Sequence, residues 1–364
     1  MRAVGLFEPS ELNAEQVLSD LEVPDVAPGP RDLKVSVRAV SINPADVSMR
    51  KSFRPTPGVA QILGYDAAGV VEEVGSQVTM FRPGDEVFYA GDVTRPGSNA
   101  EYQVVDERIV SLKPTTLSFT EAAAMPLTSI TAWELLFDRL SVGFGTKTSA
   151  GVILIVNGAG GVGSMLIQLA RRLTGLTVVA SASRPETTAW CMSLGAHHVI
   201  NHHEPLDEGL RAVGIEQANY IAGLSGSDRQ MPSIVRAIAP QGRFALIDDP
   251  KILDVAPLKL KSVSVHWELM FTRSMFQTPD MIAQHQLLTS VAELVDAGVL
   301  RTTLTTSLGP MSAETIAQGH RLVESGRSIG KSVLSGFGRP VASDRSQHRS
   351  IHPRGPVSHH HEAQ

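Results

Sequence analysis

A glycine-rich turn in the middle of the chain constrains its fold more than any other feature. An apolar run, Val152–Val156, leads into this turn at residues 158–163, which reads GAGGVG and fits the pattern G-x-G-x-x-G. An amphipathic run at residues 164–173 follows. Strand, glycine turn and helix in this order predict a βαβ unit whose helix N-terminus binds the pyrophosphate of a dinucleotide. A strand–turn–helix without a ligand is the alternative.

The glycines have separate tasks in such a unit. Gly158 would permit the tight turn, Gly160 would let a pyrophosphate approach the backbone, and Gly163 would let the helix pack closely against the strand. Coenzyme contacts are therefore predicted at five positions of the turn, which are Gly158, Gly160, Gly161, Val162 and Gly163.

The second strand of the unit indicates which dinucleotide is bound. NAD-binding units usually place an acidic residue about 20 residues beyond the turn, where it accepts from the ribose 2′-hydroxyl. Here no Asp or Glu occurs from Ala159 through Pro185, and the strand ends instead in Ser181, Ser183 and Arg184. A guanidinium and two hydroxyls suit a 2′-phosphate. The sequence therefore predicts NADPH, with a solvated loop and an incidental arginine as the alternative.

Strands and helices alternate from Gly151 onward, which predicts a parallel sheet covered by helices on both faces. The candidate strands are Val152–Val156, residues 177–182, His198–Ile200, residues 220–224, residues 243–247 and residues 263–267. The chain as far as residue 126 reads instead as strands separated by Gly and Pro, and this pattern predicts a β-rich lobe, a partly closed barrel.

Helices are also expected outside the sheet. One capped by Thr120 should end at Pro126, and a second should cover residues 130–140. Helices at residues 279–297 and 312–325 and a strand at Lys331–Ser335 are expected to return to the first lobe. Residues 339–364 are rich in Arg, His, Ser and Pro and are predicted to form a disordered tail.

Length and composition narrow the class of protein. A chain of 364 residues exceeds what one core usually fills, so two lobes are expected. A net charge of -5 opposes a general affinity for nucleic acid. The N-terminus lacks the apolar core of a signal peptide and no apolar run could cross a bilayer, so a cytoplasmic protein is predicted. A single cysteine, Cys191, permits neither an internal disulfide nor a cysteine-rich zinc site.

Several blocks of the chain resemble one enzyme family. They are residues 41–46 (SINPAD), residues 64–71 (GYDAAGVV), residues 122–133, the glycine turn and residues 267–276 (WELMFTRSMF). As far as about Gly338, the chain is similar to the zinc-independent quinone oxidoreductase branch of the medium-chain dehydrogenases/reductases. More narrowly, it resembles the proteins labelled zinc-type alcohol dehydrogenase-like.

The resemblance implies an α/β fold in which a Rossmann doubly wound parallel sheet is inserted into a β-rich, GroES-like, partly open barrel domain. Residues 1–126 and 271–338 would form the substrate domain, residues 127–270 the NADP-binding domain and residues 339–364 the tail. It also implies a homodimer formed largely through the coenzyme lobe, with the active site in the cleft between the lobes.

The resemblance also locates the positions that bind zinc in related alcohol dehydrogenases. Those enzymes use a Cys, a His-Glu pair and a further Cys around the catalytic metal. This chain has Asn43 near the first position, Tyr65 and Asp66 at the second, and no counterpart of the last. Zinc needs thiolates or imidazoles at fixed positions. No metal site is therefore predicted.

Further site residues are implied by the resemblance. Asn43 would lie near the nicotinamide and donate to the acceptor oxygen, or would only shape the turn before Pro44. Thr128 and Thr131 would contact the ribose or the nicotinamide, with capping of a helix start as the alternative.

Later segments supply the remaining candidates. Ile247 and Asp248 end the fifth strand of the sheet, where ligands bind in such folds. Phe271 and Thr272 resemble the segment whose backbone meets the carboxamide. Lys331 would reach the coenzyme or else form a surface salt bridge.

These residues favour one type of chemistry. Without a Lewis acid, oxidation of an unactivated alcohol lacks a strong stabiliser for the developing alkoxide. Reduction of a quinone or an α,β-unsaturated carbonyl spreads charge onto oxygen, where neutral donors suffice. We therefore expect an NADPH-dependent quinone or enone reductase. A zinc-dependent alcohol dehydrogenase and a non-catalytic NADPH-binding protein are the alternatives.

Overall fold

The structure is a computed structural model that describes residues 1–8, 17–52, 56, 58–145 and 151–338. The tail predicted at residues 339–364 lies outside the described residues. Within the described part of the chain, no helix combines the length and the apolar character that crossing a bilayer requires.

Strands dominate the chain as far as Leu112, as its Gly- and Pro-punctuated apolar pattern predicts. They are β1 (Arg2–Leu6), β2 (Ser19–Glu22), β3 (Asp32–Ser41), β4 (Gln61–Ile62), β5 (Ala67–Val74), β6 (Glu86–Tyr89), β7 (Tyr102–Asp106) and β8 (Val110–Leu112). Helix α1 (Pro44–Ser52) follows β3 directly, because Pro44 has a backbone suited to the first helical position. Asn43 therefore lies at the junction of β3 and α1.

The middle of the chain forms a six-stranded parallel sheet. Its strands are β9 (Val152–Val156), β10 (Thr177–Ser181), β11 (His198–Ile200), β12 (Ala218–Gly223), β13 (Ile238–Leu246) and β14 (Ser264–Trp267). The order across the sheet is β11-β10-β9-β12-β13-β14. This is the order of a Rossmann doubly wound fold, which binds ligands at the carboxyl ends of the strands beside the switch point, here between β9 and β12.

Helices connect and cover these strands. They are α2 (Phe119–Ala123), α3 (Pro126–Trp133), α4 (Gly161–Leu173), α5 (Pro185–Leu194), α6 (Leu206–Ala212), α7 (Ser227–Ala237), α8 (Thr272–Met275), α9 (Ala283–Asp296) and α10 (Ala313–Glu324). A π-helical segment, Glu134–Arg139, extends α3. Helix α4 is buried on all sides from Gly163 through Ala170, because it packs against α3 as well as against β9 and β10.

The end of the described chain returns to the first lobe. Strands β15 (Leu304–Pro310) and β16 (Lys331–Ser335) pair in parallel, and β16 pairs antiparallel with β3. They complete a GroES-like sheet in the order β15-β16-β3-β5-β6-β8, with β7 also paired to β3. The strand predicted at Lys331–Ser335 is confirmed, and its pairing brings Lys331 close to Asn43.

Two predictions of helix boundaries are wrong. Ser118, not Thr120, caps α2, because its hydroxyl accepts from the N–H of Glu121 while the Glu121 carboxylate accepts from the N–H of Ser118. Helix α3 begins at Pro126 rather than at residue 130. Proline suits the first helical position because the backbone N–H that it lacks would have no partner within the helix there. The proline that ends one helix therefore also starts the next.

Candidate active site

A cavity of about 780 Å³ lies where the carboxyl ends of β9, β12 and β13 meet the first lobe. Its wall combines the glycine turn, the start of α1, the loops after β11 and β12, and the segment that leads into β16. Among the described residues that line it, none is Asp or Glu, whereas Arg229 contributes positive charge. The wall therefore suits an anionic ligand.

The glycine turn forms one side of the cavity, and the structure separates the tasks of its glycines. A Cβ on Gly160 would meet no atom within 4 Å, so this position opens into the cavity. A Cβ on Gly163 would lie 2.5 Å from the carbonyl oxygen of Gly158, so the turn requires glycine there for packing. No side chain caps the N-terminus of α4. Its first amides are thus available to a pyrophosphate, and the site fits a dinucleotide.

Lys331 lies at the centre of a buried hydrogen-bond network beside the turn. Its ammonium donates to the carbonyl of Ile42 at 2.9 Å, to Oδ2 of Asp66 at 3.0 Å and to Oδ1 of Asn43. Nδ2 of Asn43 donates to Oδ2 of Asp66 at 2.9 Å. Because Lys331 is buried, the predicted alternative of a surface salt bridge does not hold.

The carboxylate of Asp66 accepts two further hydrogen bonds. Its Oδ2 accepts from the hydroxyl of Ser41 at 2.8 Å, and its Oδ1 accepts from the N–H of Leu127 at 2.7 Å. A buried carboxylate is tolerated when it is both paired and hydrogen-bonded. Asp66 therefore connects β3, the start of α3 and β16 at one point.

Asp46 holds the backbone of Asn43 in place. Its Oδ2 accepts from the N–H of Asn43 at 2.7 Å, and the side chain is fully buried. Burial raises the pKa of Asp46 to about 7, against the opposing effects of that N–H and of the Lys331 ammonium. Asp46 is therefore a structural residue that supports Asn43.

Basic side chains line the other end of the cavity. His202 and His203 follow β11, and Arg229 lies in the first turn of α7. The side chain of Gln230 donates to the carbonyl of His202 at 2.8 Å, which ties the two loops together. This end can therefore meet a second anionic group.

Ser181 connects this end to the glycine turn. Its Oγ accepts from the N–H of Asn157 at 2.9 Å and lies 3.3 Å from Nδ1 of His202. This contact places the imidazole of His202 against the last residue of β10. Burial, assisted by the neighbouring His203, lowers the pKa of His202.

The structure places Ser183 and Arg184 outside the cavity wall. Ser183 is exposed, and the guanidinium of Arg184 pairs with Glu186 at 2.8 Å and donates to the carbonyl of Arg327 at 2.9 Å. His202, His203 and Arg229, which line the wall, are not among the residues that the sequence predicts for the site. The sequence does contain a signal for these residues, because they follow predicted parallel strands and the carboxyl ends of all such strands lie at one edge of the sheet.

The two predicted threonines and Ile247 lie on or beside the wall. Thr128 and Ile247 line the cavity. The hydroxyl of Thr128 donates to the carbonyl of Met125 at 3.1 Å, and that of Thr131 donates to the carbonyl of Leu127 at 2.8 Å. Both hydroxyls bond within their own helix, so neither caps its start.

Three other predicted residues are set back from the wall. Asp248 accepts from the N–H and the hydroxyl of Ser227 at 2.8 and 2.7 Å, which secures the first residue of α7. Phe271 is buried with its ring 5.5 Å from that of Tyr65, and Thr272 begins α8. The side chains of Asp248 and Phe271 therefore have structural contacts in the described chain.

Comparison with known proteins identifies the family. The family described as "Alcohol dehydrogenase GroES-like domain" matches residues 29–115, and that described as "Zinc-binding dehydrogenase" matches residues 161–285. The zinc-type alcohol dehydrogenase-like protein of Staphylococcus aureus strain Mu50 is 38% identical over 337 residues, which cover 92% of this chain and 100% of the relative. The chain belongs to the medium-chain dehydrogenase/reductase superfamily. Within the superfamily it belongs to the quinone oxidoreductase-like branch, and it is an oxidoreductase.

Other superfamily members extend the comparison. A protein from Rhizobium etli CFN 42, provisionally named a zinc-dependent alcohol dehydrogenase, is 53% identical with a TM-score of 0.89, covering 93% of this chain and 98% of that one. The quinone oxidoreductase of Pseudomonas syringae pv. tomato DC3000 is 25% identical with a TM-score of 0.78, covering 92% and 99%. The NADPH-dependent alkenal/one oxidoreductase of Arabidopsis thaliana is 38% identical over 194 residues, covering 50% and 48%.

The zinc ion named for some superfamily members does not fit the residues of this chain. The candidate donors are the amide of Asn43, the phenol of Tyr65 and the carboxylate of Asp66, which the ammonium of Lys331 already occupies. Cys191 is buried in the core around the parallel sheet. Across the described ranges, no group of three or more His, Cys, Asp and Glu side chains could hold a metal ion. A borderline-soft cation would find neither thiolate nor imidazole beside Asn43.

Proposed function

We propose that this superfamily member is an NADPH-dependent reductase of quinones or α,β-unsaturated carbonyls and that it acts without a metal ion. One observation carries the proposal. A single cavity, lined by no Asp or Glu among the described residues, joins an uncapped helix N-terminus to the network of Asn43, Asp66 and Lys331. The first part suits an anionic dinucleotide, and the second suits an acceptor activated by a neutral amide.

The proposed coenzyme is NADPH rather than NADH. NAD-binding sites usually offer a carboxylate to the ribose diol, and a carboxylate would repel a 2′-phosphate. The cavity wall offers Arg229 and two imidazoles instead, and Arg184 lies beyond it with Ser181 and Ser183. The Arabidopsis relative, whose name specifies NADPH, agrees with this choice.

The remaining predicted contacts stay part of the proposal. The pyrophosphate would lie against the five predicted residues of the turn, which are Gly158, Gly160, Gly161, Val162 and Gly163. Because Gly160 has no side chain, it would leave the space that the pyrophosphate needs. The nicotinamide end would lie toward a set of residues from three segments, namely Thr128, Thr131, Ile247, Phe271 and Thr272. Asp248 would act through Ser227, and Lys331 would contribute the methylene stem that packs beside Gly161.

Bound NADPH supplies a hydride. The part of this chain is to hold the acceptor and to stabilise the negative charge that develops on its oxygen. Nδ2 of Asn43 donates to Asp66 at 2.9 Å and makes two longer hydrogen bonds, to the carbonyl of Ser41 at 3.4 Å and to that of Tyr65 at 3.5 Å. Because these two bonds are long and therefore weak, an acceptor oxygen can replace them at the second N–H. A preorganised neutral donor of this kind contributes about 3 kcal/mol.

The choice of acceptor follows from this donor. An amide cannot stabilise an alkoxide as a Lewis acid does, whereas quinones and enones spread the charge themselves. The P. syringae relative is named a quinone oxidoreductase, and the Arabidopsis relative acts on alkenals or alkenones by its name. Both names agree with an electron-poor small molecule as the substrate.

A homodimer is the proposed assembly. Strand β14 ends the parallel sheet, and within the described chain it pairs only with β13, so its outer edge is open. Large apolar side chains next to this edge are exposed, with 57% of Trp267, 52% of Leu269 and 72% of Phe276 accessible. An open edge beside an apolar patch favours pairing with a second copy of this chain.

Turnover measurements test the proposed function. Purified protein should consume NADPH with a quinone or an enone and should show no alcohol oxidation with NADP⁺. Asn43→Ala should lower kcat about 100-fold, since it removes one preorganised donor. Ser48→Ala, an exposed position on α1, is the matched control and should leave kcat unchanged. Alcohol oxidation that depends on stoichiometric zinc would instead establish the alcohol dehydrogenase alternative.

A further inference from the structure

Lys331 has no hydrogen left for a coenzyme. An ammonium carries three hydrogens, and those of Lys331 are directed to Ile42, Asn43 and Asp66. Only 4% of the residue is exposed, although it lines the cavity. Its charge is therefore committed to the protein, and its effect on the reaction has to pass through the groups that it holds.

The amide of Asn43 is the group whose orientation depends on this charge. An ammonium only donates and a carboxylate only accepts, so Oδ1 of Asn43 must face Lys331 and Nδ2 must face Asp66. The flipped amide would place its NH₂ against the ammonium and its oxygen against the carboxylate. The ion pair thus leaves one orientation, in which the second N–H remains available.

The stem of Lys331 links this amide to the coenzyme cradle. A Cβ on Gly161 would lie 2.9 Å from Cδ of Lys331, so the methylene chain packs directly on the turn. The preceding residue, Gly330, donates its N–H to the carbonyl of Ala159 at 2.9 Å. One short segment therefore holds both the cradle and the donor.

We propose that Lys331 is a positioning residue that, with Asp66, fixes the amide of Asn43 in the orientation needed to donate to the acceptor oxygen. This inference rests on the proposed function, in which Asn43 is that donor. In this inference the ammonium of Lys331 binds the side chain of Asn43 and does not bind the phosphates or the nicotinamide of the coenzyme.

The experiment removes the ammonium without leaving a buried unpaired carboxylate. Lys331→Met keeps most of the methylene stem. Alone, however, it would leave the buried carboxylate of Asp66 without a counter-ion, which could prevent folding. The test variant is therefore Lys331→Met with Asp66→Asn, which removes both charges of the pair, and the wild-type protein is the reference. Each is made with and without Asn43→Ala, which gives a double-mutant cycle.

Three readouts are measured. Relative to the wild-type reference, Lys331→Met with Asp66→Asn should lower kcat about 100-fold while the NADPH dissociation constant changes by less than about threefold. Asn43→Ala should lower kcat strongly in the reference and little once Lys331→Met is present. The side-chain amide signals of Asn43, identified in ¹⁵N-asparagine-labelled protein by their loss in Asn43→Ala, should shift when the ammonium is removed.

Other results would overturn the inference. Equal effects of Asn43→Ala in both backgrounds would show that the two residues act independently. A weakened NADPH affinity with unchanged kcat would make Lys331 a coenzyme ligand, and unchanged amide signals would remove the contact itself. A wild-type protein that neither binds nor oxidises NADPH would defeat the proposed function, whereas the amide signals would still decide whether Lys331 orients Asn43.

Discussion

The N–H of Gly330 donates to the carbonyl of Ala159 at 2.9 Å and joins the segment before β16 to the glycine turn. This bond attaches the turn to the end of the described chain, whereas Gly158 packs against Ala180 of β10 and Gly163 packs against Gly158. Gly160 alone among these glycines faces open space. The turn is therefore rigid on its protein side and free on its cavity side.

Substitution of two glycines should separate ligand binding from folding. Gly160→Ala should leave the free energy of unfolding nearly unchanged, since the φ of -71° is ordinary and the new Cβ meets nothing. It should raise the NADPH dissociation constant at least about tenfold by filling the space of a phosphate. Gly163→Ala should instead lower the melting temperature, because its Cβ would collide with Gly158. Calorimetry and a binding titration distinguish these effects, and unchanged NADPH binding in Gly160→Ala would contradict the assigned cradle.

Two arginines are expected to discriminate the coenzymes. Arg184→Ala and Arg229→Ala should each raise the NADPH dissociation constant about tenfold and affect NADH far less, because only NADPH carries the 2′-phosphate. High salt should reduce the difference, since Arg229 is exposed. Titration of each variant with both coenzymes identifies which guanidinium contacts the phosphate. Equal losses for NADPH and NADH in both variants would contradict the choice of coenzyme.

The sequence predicts the sheet better than it predicts the wall of the site. Apolar runs such as Val152–Val156 are short, buried and bounded by turn residues, so their positions follow from local pattern alone. The capping of α2 by Ser118 depended on a choice between two hydroxyls only two residues apart. A local pattern cannot decide between such neighbours, because both suit a helix start.

The features of the site that the sequence did not predict are contacts between segments that are far apart along the chain. Lys331 and Asp66 are 265 positions apart, and nothing in the local sequence of either reveals the ion pair. Arg229 became a candidate only when the start of α7 was placed beside the glycine turn. Asn43, in contrast, was identified by its resemblance to family members, and it lines the cavity.

Asp46 should make stability depend on pH. Its pKa of about 7 in the folded protein lies above the ordinary value of 3.8, so the folded state binds this proton more tightly than the unfolded state. The resulting stabilisation is complete below about pH 4 and is lost as the pH rises to about 7, by on the order of 4 kcal/mol. Asp46→Asn should remove this slope from unfolding measurements across that range. A slope that survives the substitution would refute the assignment.

The open edge of β14 should form the contact between the two chains of the proposed dimer. Trp267→Asp with Leu269→Lys should shift the mass in solution from two chains toward one, because charge replaces apolar area at the proposed contact. Leu112→Lys, an exposed apolar position on β8 in the first lobe, is the matched control and should leave the mass unchanged. Light scattering after size exclusion measures both. A wild-type monomer would contradict the proposed assembly.

The most direct test of the account is the equilibrium affinity of chelator-treated wild-type protein for NADPH and for NADH, followed by tryptophan fluorescence. A cavity with basic side chains and no carboxylate on its described wall should bind NADPH at least about tenfold more tightly, a difference of about 1.4 kcal/mol. The same treated protein should still reduce a quinone or an enone. Equal affinity for the two coenzymes, or no binding of either, would contradict the central claim.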